Sequence, residues 1–435
     1  MHRRLICLKL ADQRFIEKET LLRRTLLLTT ALLIAFAAGC SSPEPEGVVK
    51  SLIDPSRGVA NPLYYWETHH GKTAVYRIMQ STSDINTILH GLDGVRDLKS
   101  SRNAVYILRN DKDGNLALTR LEHDRTMTTD ATLSMEIKAT TPKPWSVSRN
   151  DVVAVAGVDR NGTNHVLTVT FDRNEAEPTF RPGEHLVPTV AYGEKEWFSA
   201  PVDIAGLSIA ADGNRLALRL ALDDGSGGYG LFFVDGPGKQ AVRIGDLPVV
   251  ELGGFSQNGK WYLATFEYPQ RIDVFLINTE TLKAEPVTRV ATGYLTGHPA
   301  WHPNSRYFVF TTNFTTEYLS GDTPLSGEQL YLYSLDSTNA RRLTAFKDMT
   351  LLVDFSPIGD FLLYASNSSA LTGKGDTTGL DSRYETWRMS YVPWIPENFM
   401  SSNPRIMTPQ EMQFLVSWAS GGGEVIGFAW GPGGD

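Results

Sequence analysis

The chain has 435 residues, 41 Lys+Arg against 49 Asp+Glu for a net charge of −8, and only two cysteines. An acidic balance with no basic run excludes a nucleic-acid or anionic-lipid surface read by charge. Cysteine pairs cannot staple this fold, so it must rest on a buried core, for which the chain is long enough.

Residues 22–40, LRRTLLLTTALLIAFAAGC, read as an export signal: two arginines, an apolar stretch, then small residues ending at Cys40. Residues 1–39 hold 7 basic and 3 acidic groups, so their removal leaves 34 and 46, a net charge of −12. Cys7 would go with that leader. Residues 40–62 then form a polar, proline-containing tether, and residues 63–435 form the folded part.

Downstream, one pattern recurs: an apolar anchor, a polar turn and a short apolar strand. Its anchors are Leu98, Val147, Ile209, Phe255, Trp301, Phe355 and Trp418, spaced by 49, 62, 46, 46, 54 and 63 residues. Around Trp301 the pattern extends to four strands: the anchor strand, Tyr307–Phe310, Leu330–Leu335 and one beginning at Arg341. Four short antiparallel strands in under about fifty residues make one propeller blade, and a lone blade cannot bury both faces. The sequence predicts an all-β, seven-bladed propeller of four-stranded antiparallel blades. Ala74–Met79 and Ile85–His90 lack an anchor, and Phe414–Trp418 and Glu424–Trp430 lack followers. Two strands from each end of the chain are therefore expected to share a blade and close the ring, or three and one if 63–67 also pairs.

The stretches PAWHPNSRYFVF (299–310), DFSPIGDFLLY (354–364) and GFSQNGKWYLATF (254–266) resemble the TolB-type, WD40-like propeller repeat, P-x-W-S-P-D-G-[KR]-x-[IL]-[AV]-[FY]. The resemblance spans about residues 70–430. It implies the propeller fold and, by analogy, an envelope protein partner such as a peptidoglycan-associated lipoprotein. The α/β domain that precedes the propeller in that family has no counterpart in residues 41–70. Residues 37–40, Ala-Ala-Gly-Cys, resemble a bacterial lipobox. That resemblance implies cleavage before Cys40, acylation of Cys40 and a firm membrane anchor. With Ser41 and Ser42 following, it implies the outer membrane, facing the periplasm.

Chemistry is sparse. Asn110–Asn115 and Asp159–Asn164 have the oxygen spacing of calcium loops, but Asp, Asn and Gly between strands are turn residues first. His298 and His302 are separated by Pro299 and expected to point apart. No Gly-x-Ser-x-Gly elbow is present. No metal and no cofactor are expected. The residues before the anchors, including Asp97 and Asp354, are expected to start the innermost strands and line a small, polar channel. The aromatic anchors Trp145, Phe255, Trp301, Phe355 and Trp418 are expected between blades. Two long connections, 311–328 and 367–384, should emerge side by side on one face with Phe314, Tyr318 and Tyr384. Long loops on a rigid scaffold are where binding sits. These residues suggest a non-catalytic scaffold that binds an envelope protein or glycan. The alternative is a carbohydrate-active enzyme, a lyase or glycosidase, using His298, Asp354 and Asp97 in the channel.

Overall fold

The computed structural model describes residues 63–69, 72–78, 85–92, 94–122, 128–133, 135–141, 144–171, 192–288, 296–313, 318–319, 323–324, 329–343, 350–356, 359, 361–366, 386–393, 413–419 and 424–430. All lie in the second of two compact units, Gly58–Asp435. The leader, Cys40 and the tether lie outside them.

The described residues contain no helix and form seven sheets of four or five antiparallel strands, besides one small hairpin. The first blade runs from inside out as Val95–Ser100, Ala104–Asn110, Leu116–Glu122 and Thr128–Thr132. The third blade begins at Ile204–Ile209, the fourth at Val249–Phe255, the fifth at Thr296–Trp301 and the sixth at Thr350–Phe355. In the second blade two short pieces, Lys138–Ala139 and Trp145–Val147, share the inner edge. Pro142 and Pro144 fall between them, and proline has no N–H for a ladder. The inner strands lie side by side in chain order from the first blade to the sixth, and Glu424–Trp430 lies beside that of the first.

The fifth blade matches its sequence reading: Thr296–Trp301, Tyr307–Thr312, Gln329–Ser334 and Asn339–Arg342. The shared blade corrects the first expectation of two strands from each end. Leu63–His69, Lys72–Ile78 and Ile85–Leu92 supply three strands, and Glu424–Trp430 alone joins them along Leu63–Thr68. Gln413–Ala419 is instead the outer strand of the sixth blade, with Trp418 opposite Trp387. The long connection inside that blade pushed its last strand far along the chain, where it read as a new anchor. A second correction concerns the residues before the anchors. They end the inner strands rather than start them: Asp354 and Gly254 are penultimate in Thr350–Phe355 and Val249–Phe255.

The core lies between blades. The second strand of the first blade, AVYILRN, is buried at five successive positions from Ala104 to Leu108, and VVAVAGV of the second at five from Val153 to Gly157. A strand covered on both faces reads as an apolar run without alternation. Trp145, fully buried, sits with Tyr106, Leu108, Val153 and Val155 between the first and second blades. Phe255 meets Phe233 and Tyr262 between the third and fourth, at ring distances of 5.5 and 4.6 Å. Trp301 and Phe355 are likewise seated at blade junctions; the side chain of Trp418 lies outside the described residues.

Polar contacts repeat across these seams. Trp145 Nε1 donates to Asp97 Oδ2 at 3.1 Å, and Trp301 Nε1 donates to the Gly254 carbonyl at 3.0 Å. Each indole reaches back to the residue before the previous anchor. At the next turn His302, buried, contacts the Gly359 carbonyl through Nε2 at 2.9 Å and sets its ring edge-on to Phe355. A Cβ on Gly359 would fall 2.5 Å from that nitrogen, and Gly359 has φ +81°, so glycine is required twice over.

Candidate functional site

A blade's inner strand begins at the end where its second and third strands are joined. That end therefore carries the starts of the inner strands together with the connections of all blades.

Most of those connections are closed upon themselves. In the first blade Asp111 Oδ1 accepts the N–H groups of Asp113 at 2.9 Å and Asn115 at 2.8 Å, with Gly114 at φ +81°. In the second, Asp159 Oδ1 accepts from Asn161 at 2.9 Å and Thr163 at 2.8 Å, with Gly162 at φ +84°. Those backbone donors hold both carboxyls below the usual carboxylate range, against a desolvation that acts the other way in each and is the larger single influence in Asp111. Both segments are hairpin turns whose carboxylates face their own backbone. The fourth blade turns tightly at Tyr268–Arg271. In the fifth and sixth blades the connections run instead through 313–328 and 367–385. The first contains a small hairpin, with Tyr318 opposite Pro324 and Leu319 opposite Thr323. Phe314, Tyr384 and the side chain of Tyr318 lie outside the described residues.

At the same end, the inner strands of the fourth and fifth blades meet through Glu251 and His298. The backbone N–H of His298 donates to Glu251 Oε2 at 2.8 Å, and its ring Nδ1 lies 3.2 Å from Oε1. Both side chains are rather more than a third exposed. Each strand bulges here, between Val249 and Glu251 and between Gly297 and Ala300. His298 has φ +48°, a left-handed conformation rare for a residue with a side chain. Burial works against ionisation of Glu251, but the ring and backbone of His298, with the Arg219 charge, outweigh it and hold the carboxyl below its ordinary value. Arg219 lies over the ring of Tyr229, 4.6 Å from its centroid, and the Tyr229 hydroxyl donates to Asp203 Oδ2 at 3.1 Å. One polar chain thus runs from the third blade to the fifth.

The acids expected in the channel have separate fates. Asp97 is buried, tied to the Trp145 indole. Lys99 donates to the Trp145 carbonyl at 2.9 Å. Asp354 touches water, yet protein surrounds it deeply enough that desolvation pushes its pKa up to about 7, opposed by the Phe355 N–H and the Lys99 charge. His298 is thus brought to Glu251, a residue not singled out in the sequence. The signal was faint: Glu251 lies ahead of Gly254, where the inner strand was expected to start, and a bulge is invisible to a period-two reading. Among the described residues no three His, Cys, Asp or Glu converge as metal ligands.

No family model matches the sequence, and no curated protein does. Solved structures do. The putative TolB of Agrobacterium tumefaciens is 13% identical over 85% of this chain and 93% of its own, with a TM-score of 0.42. The fold is a β-propeller, similar to those of TolB proteins. The propeller domain of the Trilobed protease from Pyrococcus furiosus is 8% identical over 76% of this chain and 94% of its own, at 0.47. The oligogalacturonate lyase of Vibrio parahaemolyticus is 11% identical over 70% and 88%, at 0.45. At such identities a likeness speaks to fold alone, and with TM-scores below 0.5 the fold rests on the sheets described above.

Proposed function

We propose that the chain is a lipoprotein acylated at Cys40 and held at the bacterial cell envelope, at the outer membrane facing the periplasm. Its propeller is a non-catalytic scaffold that docks an envelope protein or glycan. One observation carries the docking: the turns of the first two blades are closed by their own aspartates, whereas in the neighbouring fifth and sixth blades the second and third strands are joined by the much longer segments 313–328 and 367–385. Such loops tolerate variation without disturbing the core, so they are where recognition is placed.

The test is a pull-down from envelope extract with the acylated protein, beside a variant in which 313–327 is replaced by a two-residue hairpin. A protein or glycan held by the parent and lost by the variant, at unchanged thermal stability, supports docking. Equal recovery by both would overturn it. A Cys40→Ala arm checks the anchor: metabolic labelling with palmitate should vanish and the protein should leave the membrane fraction.

A second reading, a carbohydrate-active enzyme, is favoured by Asp354, since a carboxyl with a pKa near neutrality suits general acid catalysis. Turnover of an acidic polysaccharide by the parent and not by Asp354→Asn would establish it.

A further inference from the structure

The contact between Glu251 and His298 does more than join two blades. A left-handed backbone is unfavourable at a residue with a Cβ, which is pressed toward the following carbonyl oxygen. His298 holds that conformation while its own N–H and its ring grip the two oxygens of one carboxylate. The strain and the grip oppose each other at a single residue. A modest loss of attraction can therefore shift the balance between a closed and an open inner-strand start.

We propose that Glu251 and His298 form a pH-sensitive latch between the fourth and fifth blades, closed when the histidine is an imidazolium and loosened when it loses its proton. Histidine is the side chain whose charge changes across the physiological range. In the imidazolium form the ring contact is a charge-assisted hydrogen bond; in the neutral form it is an ordinary one, about half as strong. Among the described residues, charged groups stand on three of the strands that pack near the pair. Arg219 faces Glu251 from the second strand of the third blade. The Arg271–Asp273 pair lies on the third strand of the fourth blade, whose Ile272 carbonyl accepts from the Thr296 hydroxyl at 2.8 Å. Asp354 stands on the neighbouring inner strand of the sixth blade. His298 itself and, more weakly, Arg219 hold the Glu251 carboxyl below its ordinary value, so Glu251 stays ionised and the histidine proton is the variable charge of the contact. The second strand of the fifth blade is tied to the same point, because the Thr311 hydroxyl donates to the Gly297 carbonyl at 3.2 Å. The latch is read on the protein alone, so its failure and that of the docking reading are distinguishable.

The experiment is amide hydrogen exchange on the whole mature protein at pH 6 and pH 8, corrected for intrinsic exchange, followed at the His298 N–H. The parent should lose about tenfold in protection at that amide between the two pH values, while the core amide of Leu263 is unchanged. His298→Asn keeps the donor and tolerates the left-handed backbone, and its corrected protection should be flat with pH. Glu251→Gln should be flat and low. A flat profile in the parent, or the same pH dependence retained in His298→Asn, would overturn the latch.

Discussion

Replacing Asp354 by Asn should stabilise the protein, by an amount that grows from about pH 4 and is complete just above neutrality. Asp354 carries a pKa of about 7 in place of 3.8, because desolvation at the inner edge of the sixth blade makes its charge expensive. An acid whose folded pKa lies above its unfolded value binds its proton more tightly when folded. Its contribution is complete below about pH 4, declines as pH rises toward 7, and is gone above that. A shift of this size corresponds to about 4 kcal/mol at full value. The side chain meets water, and solvent screening reduces the figure to about 1–2 kcal/mol. Asn has the same shape and can still accept from the Phe355 N–H, so the substitution removes the charge and little else. Urea unfolding of parent and Asp354→Asn between pH 4 and 8.5 reads the difference. The two curves should coincide near pH 4 and separate by about 1–2 kcal/mol, Asn above Asp, by pH 8. A variant less stable than the parent at pH 8, or a gap that does not change with pH, would refute the reasoning.

Trp145→Phe removes the indole donor and leaves a buried Asp97 oxygen with one partner fewer, at a cost of about 1–3 kcal/mol in denaturant unfolding. Gly359→Ala forces a left-handed alanine against His302 and should cost about 2 kcal/mol or more; a neutral result would mean that the turn between the first two strands of the sixth blade yields easily. Asp111→Ala and Asp159→Ala should each lower Tm by releasing two turn N–H groups, and neither calcium nor EDTA should move the Tm of the parent. A calcium-dependent rise would restore the cation reading of those turns.

The fold was legible because its repeat is local. An anchor, a turn and an apolar strand recur in each of the first six blades, and the structure sets them where the spacing placed them. The exception, Trp418, fails for a reason the sequence contained but did not weigh. A long connection inside the sixth blade delays its outer strand, and the alternation of that strand looks like an inner one. The site was harder to see. Asp97 and Asp354 sit at the same repeat position, yet one is tied to an indole and the other faces water. Position in a repeat does not determine who the neighbour is across the seam. Glu251 became visible only as the partner of His298, through two bulges and a left-handed histidine that no hydrophobic period encodes.

The sheet shared between Leu63–Leu92 and Glu424–Trp430 sets synthesis and assembly against each other. Its first three strands leave the ribosome hundreds of residues before the fourth. Throughout that interval the inner edge of Leu63–His69 is an unpaired ladder, ready to accept any extended segment. Pairings this distant are also the slowest to form. A nascent chain of this design therefore carries that open edge until Glu424–Trp430 has emerged. A ribosome stalled in the final blade would release a product that is nearly all made and still adhesive.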